Sequence, residues 1–446
     1  MSAPTFPPGT KNIFLFTVFN ALSYQIILSS PMILYAKSLG AHATVLGIVA
    51  GMTPLLVIFQ IPAARHVERV GYKRFIYAGW GLRVAFITGM ALVPFVGIFL
   101  DRTTQLILLL MLLFGFNLSR GISSCAWLPW MTSLIPSELR GRYLLRDAVF
   151  LNVSSFAIFL VVAFSLGANP KAWQFAMLFA FSAAMGAMSL VFIKRIPEPE
   201  KIAQTRISTA RVPWRAMASH PPFRKLLWMN CAWSFAYGGI NTFVVVFLKT
   251  EVGLSERVIM LLSSTAFIGG ICSLWFLDSR LDRFGSKPVL IFSMLVWICI
   301  LGAWVGLAGR LIPPLPAVLV ALQFLMGLTA SLVTLSNTRL AMVIVPQMGR
   351  SHFFALFSVV ASLTLGLSPI LWGLSIDAAR SVRWAWHGFE WNRYSLFFAA
   401  VALMFAVTLK LCRRLEEPQA ASMETLLRDI LKQSPLRFWL RLWPRG

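Results

Sequence analysis

One long apolar run, predicted as a helix over residues 105–133, carries an arginine near its middle. If this run crosses a bilayer, Arg120 lies roughly 20 Å from each surface at about 1.5 Å per residue. A charge at that depth costs at least about 2.5–3.5 kcal/mol. Asn117, Ser124 and Trp127 fall on the same helical face as Arg120. Such a face favours an anionic or hydrogen-bonding solute; the alternative is a structural arginine bonded to helix carbonyls or to neighbouring polar groups.

Three other apolar runs carry polar and aromatic side chains at helical spacing. The run over residues 225–249 has the fullest stripe, with Asn230, Trp233, Tyr237 and Asn241. Aromatic faces beside amide groups suit an organic solute. The shorter sets are Asn20 with Tyr24, and Gln323 with Thr334 and Asn337. Each stripe by itself is more typical of contacts between helices than of a ligand site.

The composition is that of a membrane protein. Of the 446 residues, 58% are hydrophobic and 13% are charged, against about 25% charged in soluble domains. The net charge of +24 resides mainly in short segments between apolar runs, so membrane topology explains it better than nucleic-acid binding. Five cysteines without CxxC spacing indicate neither disulfides nor a metal site. No nucleotide-binding loop is present, and no cofactor is expected.

Twelve membrane spans are predicted, and we expect all of them to be α-helices, because helices satisfy their own backbone polar groups in lipid. The approximate ranges are 12–36, 43–63, 75–99, 105–133, 143–167, 172–193, 225–249, 257–277, 288–308, 315–340, 351–374 and 393–412. Segments on one side hold about 29 of the 40 Lys and Arg residues, which predicts cytoplasmic termini.

Four regions follow from these spans. Residues 1–193 form an N-terminal six-helix half, 194–224 a cytoplasmic basic linker, 225–412 a C-terminal six-helix half, and 413–446 a cytoplasmic tail. The tail alternates large apolar side chains with bases, which predicts an amphipathic helix on anionic lipid. Alternatives are a disordered tail or a partner site.

A short basic segment occurs twice, 214 positions apart, as Glu68-Arg69-Val70-Gly71 and Asp282-Arg283-Phe284-Gly285. A second pair, Leu134-Ile135-Pro136 and Ile344-Val345-Pro346, is 210 positions apart and is followed in both copies by an arginine. Repeats in phase with the two sets of six spans indicate that the chain arose by duplication.

Six plus six spans joined by a basic linker, with this segment in loops 2–3 and 8–9, resemble the major facilitator superfamily. The family signature is Gly-x-x-x-Asp-Arg-x-Gly-Arg/Lys-Arg/Lys. In the first copy Ala64 and Glu68 replace the Gly and the Asp, and the matching residues are Arg69, Gly71, Lys73 and Arg74. In the second copy Asp278 replaces the leading Gly, and the matching residues are Asp282, Arg283, Gly285 and Lys287.

The resemblance implies that these loops latch the two halves in one conformation and release as the halves rock. Independently of it, Gly71 and Gly285 predict a positive φ in a tight turn. Glu68 and Asp282 are expected to accept hydrogen bonds at a neighbouring helix start. Asp147 is expected to pair with a cytoplasmic arginine such as Arg74 or Arg142, and its coupling or gating role is the alternative.

The resemblance further implies that spans 1, 4, 7 and 10 line a central substrate cavity. The substrate-binding candidates are Asn20, Tyr24, Asn117, Arg120, Ser124, Trp127, Trp233, Tyr237, Asn241, Gln323 and Asn337. Arg83, near the cytoplasmic end of span 3, is expected to extend towards the headgroups in a structural role.

We therefore expect a secondary active transporter, a monomer in a bacterial inner membrane, that moves a small anionic or polar organic solute by alternating access. Proton or sodium is the expected coupling ion. A drug efflux transporter is the alternative, although no Asp or Glu lies at mid-depth in a span. A sensor or scaffold with the same fold stays open. An enzyme is disfavoured because His66 and His352 lack paired carboxylates.

Overall fold

A computed structural model describes residues 6–7, 9–136, 139–167, 170–198, 220–277, 285–344 and 350–417. Most of the predicted linker, the amphipathic part of the tail, and Asp282 with Arg283 lie outside these ranges, as does the side chain of Glu68.

The described residues of the first part of the chain are mostly helical, because its apolar runs are interrupted only by short polar or glycine-containing segments. The helices are α1 Thr10–Leu28, α2 Ser30–Ser38, α3 Ala43–Leu55, α4 Gln60–Val70, α5 Tyr72–Val96, α6 Arg102–Ser123, α7 Trp127–Leu134, α8 Arg140–Leu166 and α9 Ala172–Arg195. Short 3₁₀ turns at Leu56–Phe59 and Ser124–Ala126 join α3 to α4 and α6 to α7.

The second part repeats this pattern and adds one β-hairpin. Its helices are α10 Pro221–Tyr237, α11 Ile240–Thr250, α12 Glu256–Leu277, α13 Ser286–Ala308, α14 Pro316–Ile344, α15 Arg350–Ala378 and α16 Arg393–Arg413. Strands β1, Arg383–Trp386, and β2, Phe389–Asn392, pair antiparallel, with Trp386 opposite Phe389. The intervening His387 and Gly388 both have positive φ, as a tight two-residue hairpin turn requires. This hairpin was not predicted from the sequence.

Among the described residues, twelve helical segments are long and apolar enough to cross a membrane. They agree with the predicted spans to within several residues. Four of them consist of two helices in succession: α1 with α2, α3 with α4, α6 with α7, and α10 with α11. Two of these interruptions have a cause in the sequence: Pro31 lies in the first turn of α2, and the Gly238–Gly239 pair separates α10 from α11.

The described residues fall into two compact units. One comprises those of Met1–Thr209 and Val244–Ser264, and the other those of Ala210–Phe243 and Thr265–Gly446. The short segment Val244–Ser264 groups with the first unit, where Arg257 donates its backbone N–H to Gly167 O at 3.2 Å and its Nε–H to Ala163 O at 3.4 Å.

Helices within each unit approach closely at glycines. In the first unit, a Cβ at Gly79 would lie 2.2 Å from the Cβ of Ser123, which brings α5 against α6. A Cβ at Gly121 would lie 2.1 Å from Leu56 O. In the second unit, a Cβ at Gly327 would lie 1.8 Å from Ala266 O, which brings α14 against α12. Small residues at such crossings are typical of membrane helices, which associate through close packing.

The start of α6 is capped by a carboxylate just outside its membrane span. Asp101 accepts hydrogen bonds from the backbone N–H of Thr103 at 3.0 Å and of Thr104 at 3.3 Å, and from the Thr104 hydroxyl at 2.5 Å. Led by the Thr104 hydroxyl, these bonds hold the pKa of Asp101 below its ordinary value of 3.8.

Replacing Asp101 by asparagine is expected to lower the melting temperature at neutral pH, because the amide keeps an acceptor but loses the charge that favours a helix N-terminus. A lowered pKa means that the carboxylate stabilises the fold above the unfolded pKa, and that this contribution is lost as pH falls through the folded pKa. The difference in melting temperature between wild type and Asp101→Asn should therefore become smaller below pH 3.8. Melting curves across pH check this, and a gap that is constant with pH would contradict it.

Candidate functional site

Two arginines and a tyrosine lie together in the first unit, on α1, α5 and α6. Arg83, Arg120 and the hydroxyl of Tyr24 lie within electrostatic range of one another. In the part of the chain that the structure describes, no hydrogen bond or ion pair is made by the guanidinium group of Arg120, which is half-buried. Arg120 and Tyr24, predicted separately from two spans, are thus brought to one place.

The expectation that Arg83 extends towards the headgroups is wrong. Its side chain is only 4% exposed and lies between two aromatic rings, with the guanidinium carbon 4.6 Å from the ring centre of Trp80 and 5.0 Å from that of Phe116. Trp80 in turn donates its Nε1–H to Asn20 Oδ1 at 3.2 Å. Asn20, predicted to bind substrate, therefore orients the ring that holds Arg83.

The other predicted residues of span 4 contact neighbouring helices. Asn117 is 1% exposed; its Oδ1 accepts from the Thr53 hydroxyl at 2.9 Å and its Nδ2 donates to Leu113 O at 3.0 Å. Ser124 Oγ accepts from Gln60 Nε2 at 2.7 Å. Trp127 packs on Phe16, with ring centres 4.6 Å apart. In this conformation all three side chains connect helices through a hydrogen bond or a ring contact, whereas the Arg120 side chain makes neither among the described residues.

An aromatic cluster in the second unit contains two of the predicted residues. Trp233 stacks on Tyr237 at 5.0 Å between ring centres, and both rings contact Trp297 edge-on. Phe405 stacks on Trp297 at 5.1 Å. The exposed Asn241 donates to the Tyr237 hydroxyl at 3.2 Å. Trp297 and Phe405 were not predicted, because residues of purely aromatic character are common in every span.

The break after α10 fixes the position of this cluster. The carbonyl of Phe235, at the end of the helix, accepts from the Ser368 hydroxyl at 2.5 Å and from Trp372 Nε1 at 3.0 Å. Gly238 makes the approach possible, since a Cβ there would lie 2.7 Å from Leu365 O. These bonds anchor the last turn of α10, which carries Trp233 and Tyr237.

The hydrogen bonds of the predicted residues on span 10 do not involve the aromatic cluster. Asn337 donates its Nδ2–H to Asn230 Oδ1 at 2.9 Å, which joins α14 to α10. The other ends of this amide pair, Asn230 Nδ2 and Asn337 Oδ1, are buried without a hydrogen-bond partner among the described residues. Gln323 is 5% exposed. Thr334 is exposed and bonds to Ala330 O within its own helix.

The repeated basic segments have the predicted glycine geometry. Gly71 has φ 89° and Gly285 has φ 85°. In the first copy, Arg69 and Arg74 are exposed. The start of α5 is capped by Glu198, whose Oε1 accepts from the Lys73 N–H at 3.3 Å.

The second copy is capped in the same way and more fully. Glu417 is 4% exposed at its side chain and accepts from the backbone N–H of Ser286 at 2.9 Å and of Lys287 at 2.8 Å. Arg339 donates to the same carboxylate at 3.0 Å. Glu198 and Glu417 therefore cap these two helix starts, while the capping expected of Glu68 and Asp282 involves side chains outside the described residues. The missed signal was a Glu-Pro pair after both the sixth and the twelfth span.

The expected ion pair of Asp147 is wrong. Asp147 accepts a hydrogen bond from the Thr17 hydroxyl at 2.6 Å, which joins α8 to α1. It makes no ion pair with Arg74 or Arg142 within the described ranges. The carboxyl group is partly buried and turned towards α1, whereas Arg74 is exposed.

Comparisons with known proteins extend these observations to the whole chain. The family model described as Major Facilitator Superfamily matches residues 13–281 and 235–444. A search of curated protein sequences found no match.

Solved structures share the fold at low sequence identity. A point mutant of the nucleoside transporter NupG is 13% identical, with 92% of this chain and 100% of that chain covered and a TM-score of 0.68. A D-xylose-proton symporter is 13% identical, with 92% and 98% covered and a TM-score of 0.71. A bacterial homologue of the human lysosomal transporter Spinster is 14% identical, with 98% of each chain covered and a TM-score of 0.60.

These likenesses show the fold, and the family model and the twelve candidate spans indicate an integral multi-pass membrane protein. With a family model that spans most of its length and twelve candidate spans, the chain belongs to the Major Facilitator Superfamily.

Proposed function

We propose that this protein is a secondary active transporter that moves a small anionic or polar organic solute by alternating access. The observation that carries the proposal is Arg120, a half-buried guanidinium deep in a predicted span with no hydrogen bond or ion pair among the described residues. A cation in that position has unused donors, and an anionic solute would satisfy them.

Several further features belong to the proposal and rest on the sequence. The two six-helix halves, residues 1–193 and 225–412, are the bodies that would rock, joined by the basic linker 194–224. Both termini would be cytoplasmic, with the tail 413–446 on anionic lipid, and the protein would act as a monomer. Proton is the favoured coupling ion over sodium, because a structural neighbour is a D-xylose-proton symporter.

The test is transport of a broad metabolite panel by purified protein in liposomes. Arg120→Ala is expected to reduce uptake of the transported anion at least tenfold, because a lost charged hydrogen bond costs about 1.5–3 kcal/mol. Arg224→Gln, which removes an exposed arginine, is the matched control and should transport normally. Uptake by Arg120→Ala at the wild-type rate would remove this arginine from the site.

Efflux of aromatic or cationic compounds is the second candidate. It is favoured by the cluster of Trp233, Tyr237, Trp297 and Phe405, whose ring faces attract cations and flat apolar molecules. The same panel separates the two candidates, because efflux would show as transport of lipophilic cations that is insensitive to Arg120→Ala.

A further inference from the structure

We infer that Arg83 and Arg120 together bind one end of the solute, and that this end carries two negative charges on oxygen atoms. A phosphate monoester and a small dicarboxylate share that chemistry. The inference rests on the proposed function. It adds a second arginine to the binding site and a second negative charge to the substrate.

The first step is the burial of Arg83 without a hydrogen-bonding partner. Its Nε is buried with no hydrogen-bond partner in the part of the chain that the structure describes, and its guanidinium lies against the faces of Trp80 and Phe116. Aromatic faces attract a cation but accept no strong hydrogen bond. Burial of a charged group without hydrogen bonds is unfavourable, so the Trp80–Phe116 contact leaves Arg83 incompletely satisfied.

The second step is the proximity of another cation. Arg120 lies within electrostatic range of Arg83, and the two helices that carry them are brought close by Gly79 against Ser123. Like charges repel, so each arginine makes the burial of the other more costly. The repulsion is relieved when an anion binds between them or beside both.

The third step is that the described residues supply no carboxylate paired with either arginine. The Asp147 carboxyl accepts a hydrogen bond from the Thr17 hydroxyl at 2.6 Å. No carboxylate of the described residues makes an ion pair with Arg83 or Arg120. Within the described part of the first unit, the two positive charges are therefore without an ion-pair partner.

The fourth step is the chemistry of the groups themselves. A guanidinium donates five hydrogen bonds and accepts none, and the Tyr24 hydroxyl adds a further donor. Forked donors match the oxygen atoms of carboxylates and phosphates. A ligand with two negative charges would neutralise both arginines, whereas a single carboxylate would leave one charge buried.

The test measures thermal melting of the purified full-length protein in detergent, at constant ionic strength, with inorganic phosphate, succinate, acetate or chloride. Phosphate or succinate is expected to raise the wild-type melting temperature, and acetate and chloride are not. Whichever of the two dianions acts identifies a phosphate or a dicarboxylate substrate.

Two variants of Arg83 complete the test. Arg83→Met is expected to melt higher than wild type without dianion, because an uncompensated buried charge is gone, and to lose the dianion-induced shift. Arg83→Lys keeps the charge but not the fork, so its dianion affinity should fall at least tenfold. Arg224→Gln should behave as wild type.

The inference is overturned if neither dianion stabilises the wild type, or if Arg83→Met melts lower than wild type without dianion. It is also overturned if Arg83→Lys binds dianion as wild type does. Loss of liposome transport in Arg120→Ala together with unchanged dianion binding in both Arg83 variants would overturn the inference alone and leave the proposed function standing.

Discussion

Gly327→Ala is expected to lower the melting temperature of the protein steeply. The added Cβ would lie 1.8 Å from Ala266 O, far inside van der Waals contact. That oxygen belongs to the backbone of α12 and cannot rotate away, so α12 and α14 must separate. Overpacking of this kind costs about 3 kcal/mol or more when the backbone has to move. Melting curves of the purified protein in detergent measure the effect.

Gly302→Ala is the matched control for this prediction. Gly302 lies within α13, and a Cβ there would meet no atom within 4 Å. Alanine in a helix interior is favoured over glycine by about 0.5–1 kcal/mol, so this variant should melt at or above the wild-type temperature. A loss of stability in both variants, of similar size, would show that the close approach of α12 and α14 is not the cause.

Glu417→Gln is expected to weaken the second unit by about 2–3 kcal/mol, the cost of losing charged hydrogen bonds at a buried site. The carboxylate accepts from two backbone N–H groups at the start of α13 and from Arg339. An amide presents one acceptor oxygen, and its NH₂ group would face these donors. Arg339 would also lose the charge that it pairs with. The melting temperature and the rate of proteolysis near residues 278–290 measure the loss.

Glu416→Gln is the matched control, one residue away. Glu416 pairs with Lys225 at the surface, and both side chains are exposed. The Lys225 ammonium, chiefly through its hydrogen bond, holds the pKa of Glu416 below its usual range. Exposed ion pairs add little stability, so the variant should melt close to wild type. Equal losses in the two variants would argue against the special role of the Glu417 cap.

Much of the fold could be predicted from the sequence because the insertion of a helix into a membrane depends on local properties of the chain. A span needs only length and apolar composition, which any window of the chain displays. The positive φ of Gly71 and Gly285 was likewise predictable, since it depends on the residue and its turn alone. Duplication supported the count of spans without any structural information.

Less of the candidate site could be predicted, because helical spacing shows which residues share a face of a helix but not which neighbouring helix that face contacts. Asn117 and Arg120 share one, yet Asn117 bonds to Thr53 on α3 while Arg120 lies near Tyr24 on α1. Trp127 follows on the same face and packs on Phe16. The role of each side chain depends on the neighbouring helix, which is distant in sequence.

The sequence by itself determined the membrane class, the twelve spans, the repeat and the depth of Arg120, because each depends on composition and position along one helix. The tertiary structure decided which groups each of these side chains contacts. In the folded protein, Arg83 lies between the rings of Trp80 and Phe116, and Asp147 accepts a hydrogen bond from Thr17. Glu198 and Glu417 cap the starts of α5 and α13. Trp80 lies one turn from Arg83 on α5, but Phe116, Thr17, Glu198 and Glu417 lie on other segments of the chain than the groups they contact. Only the packing of the helices brings these side chains together.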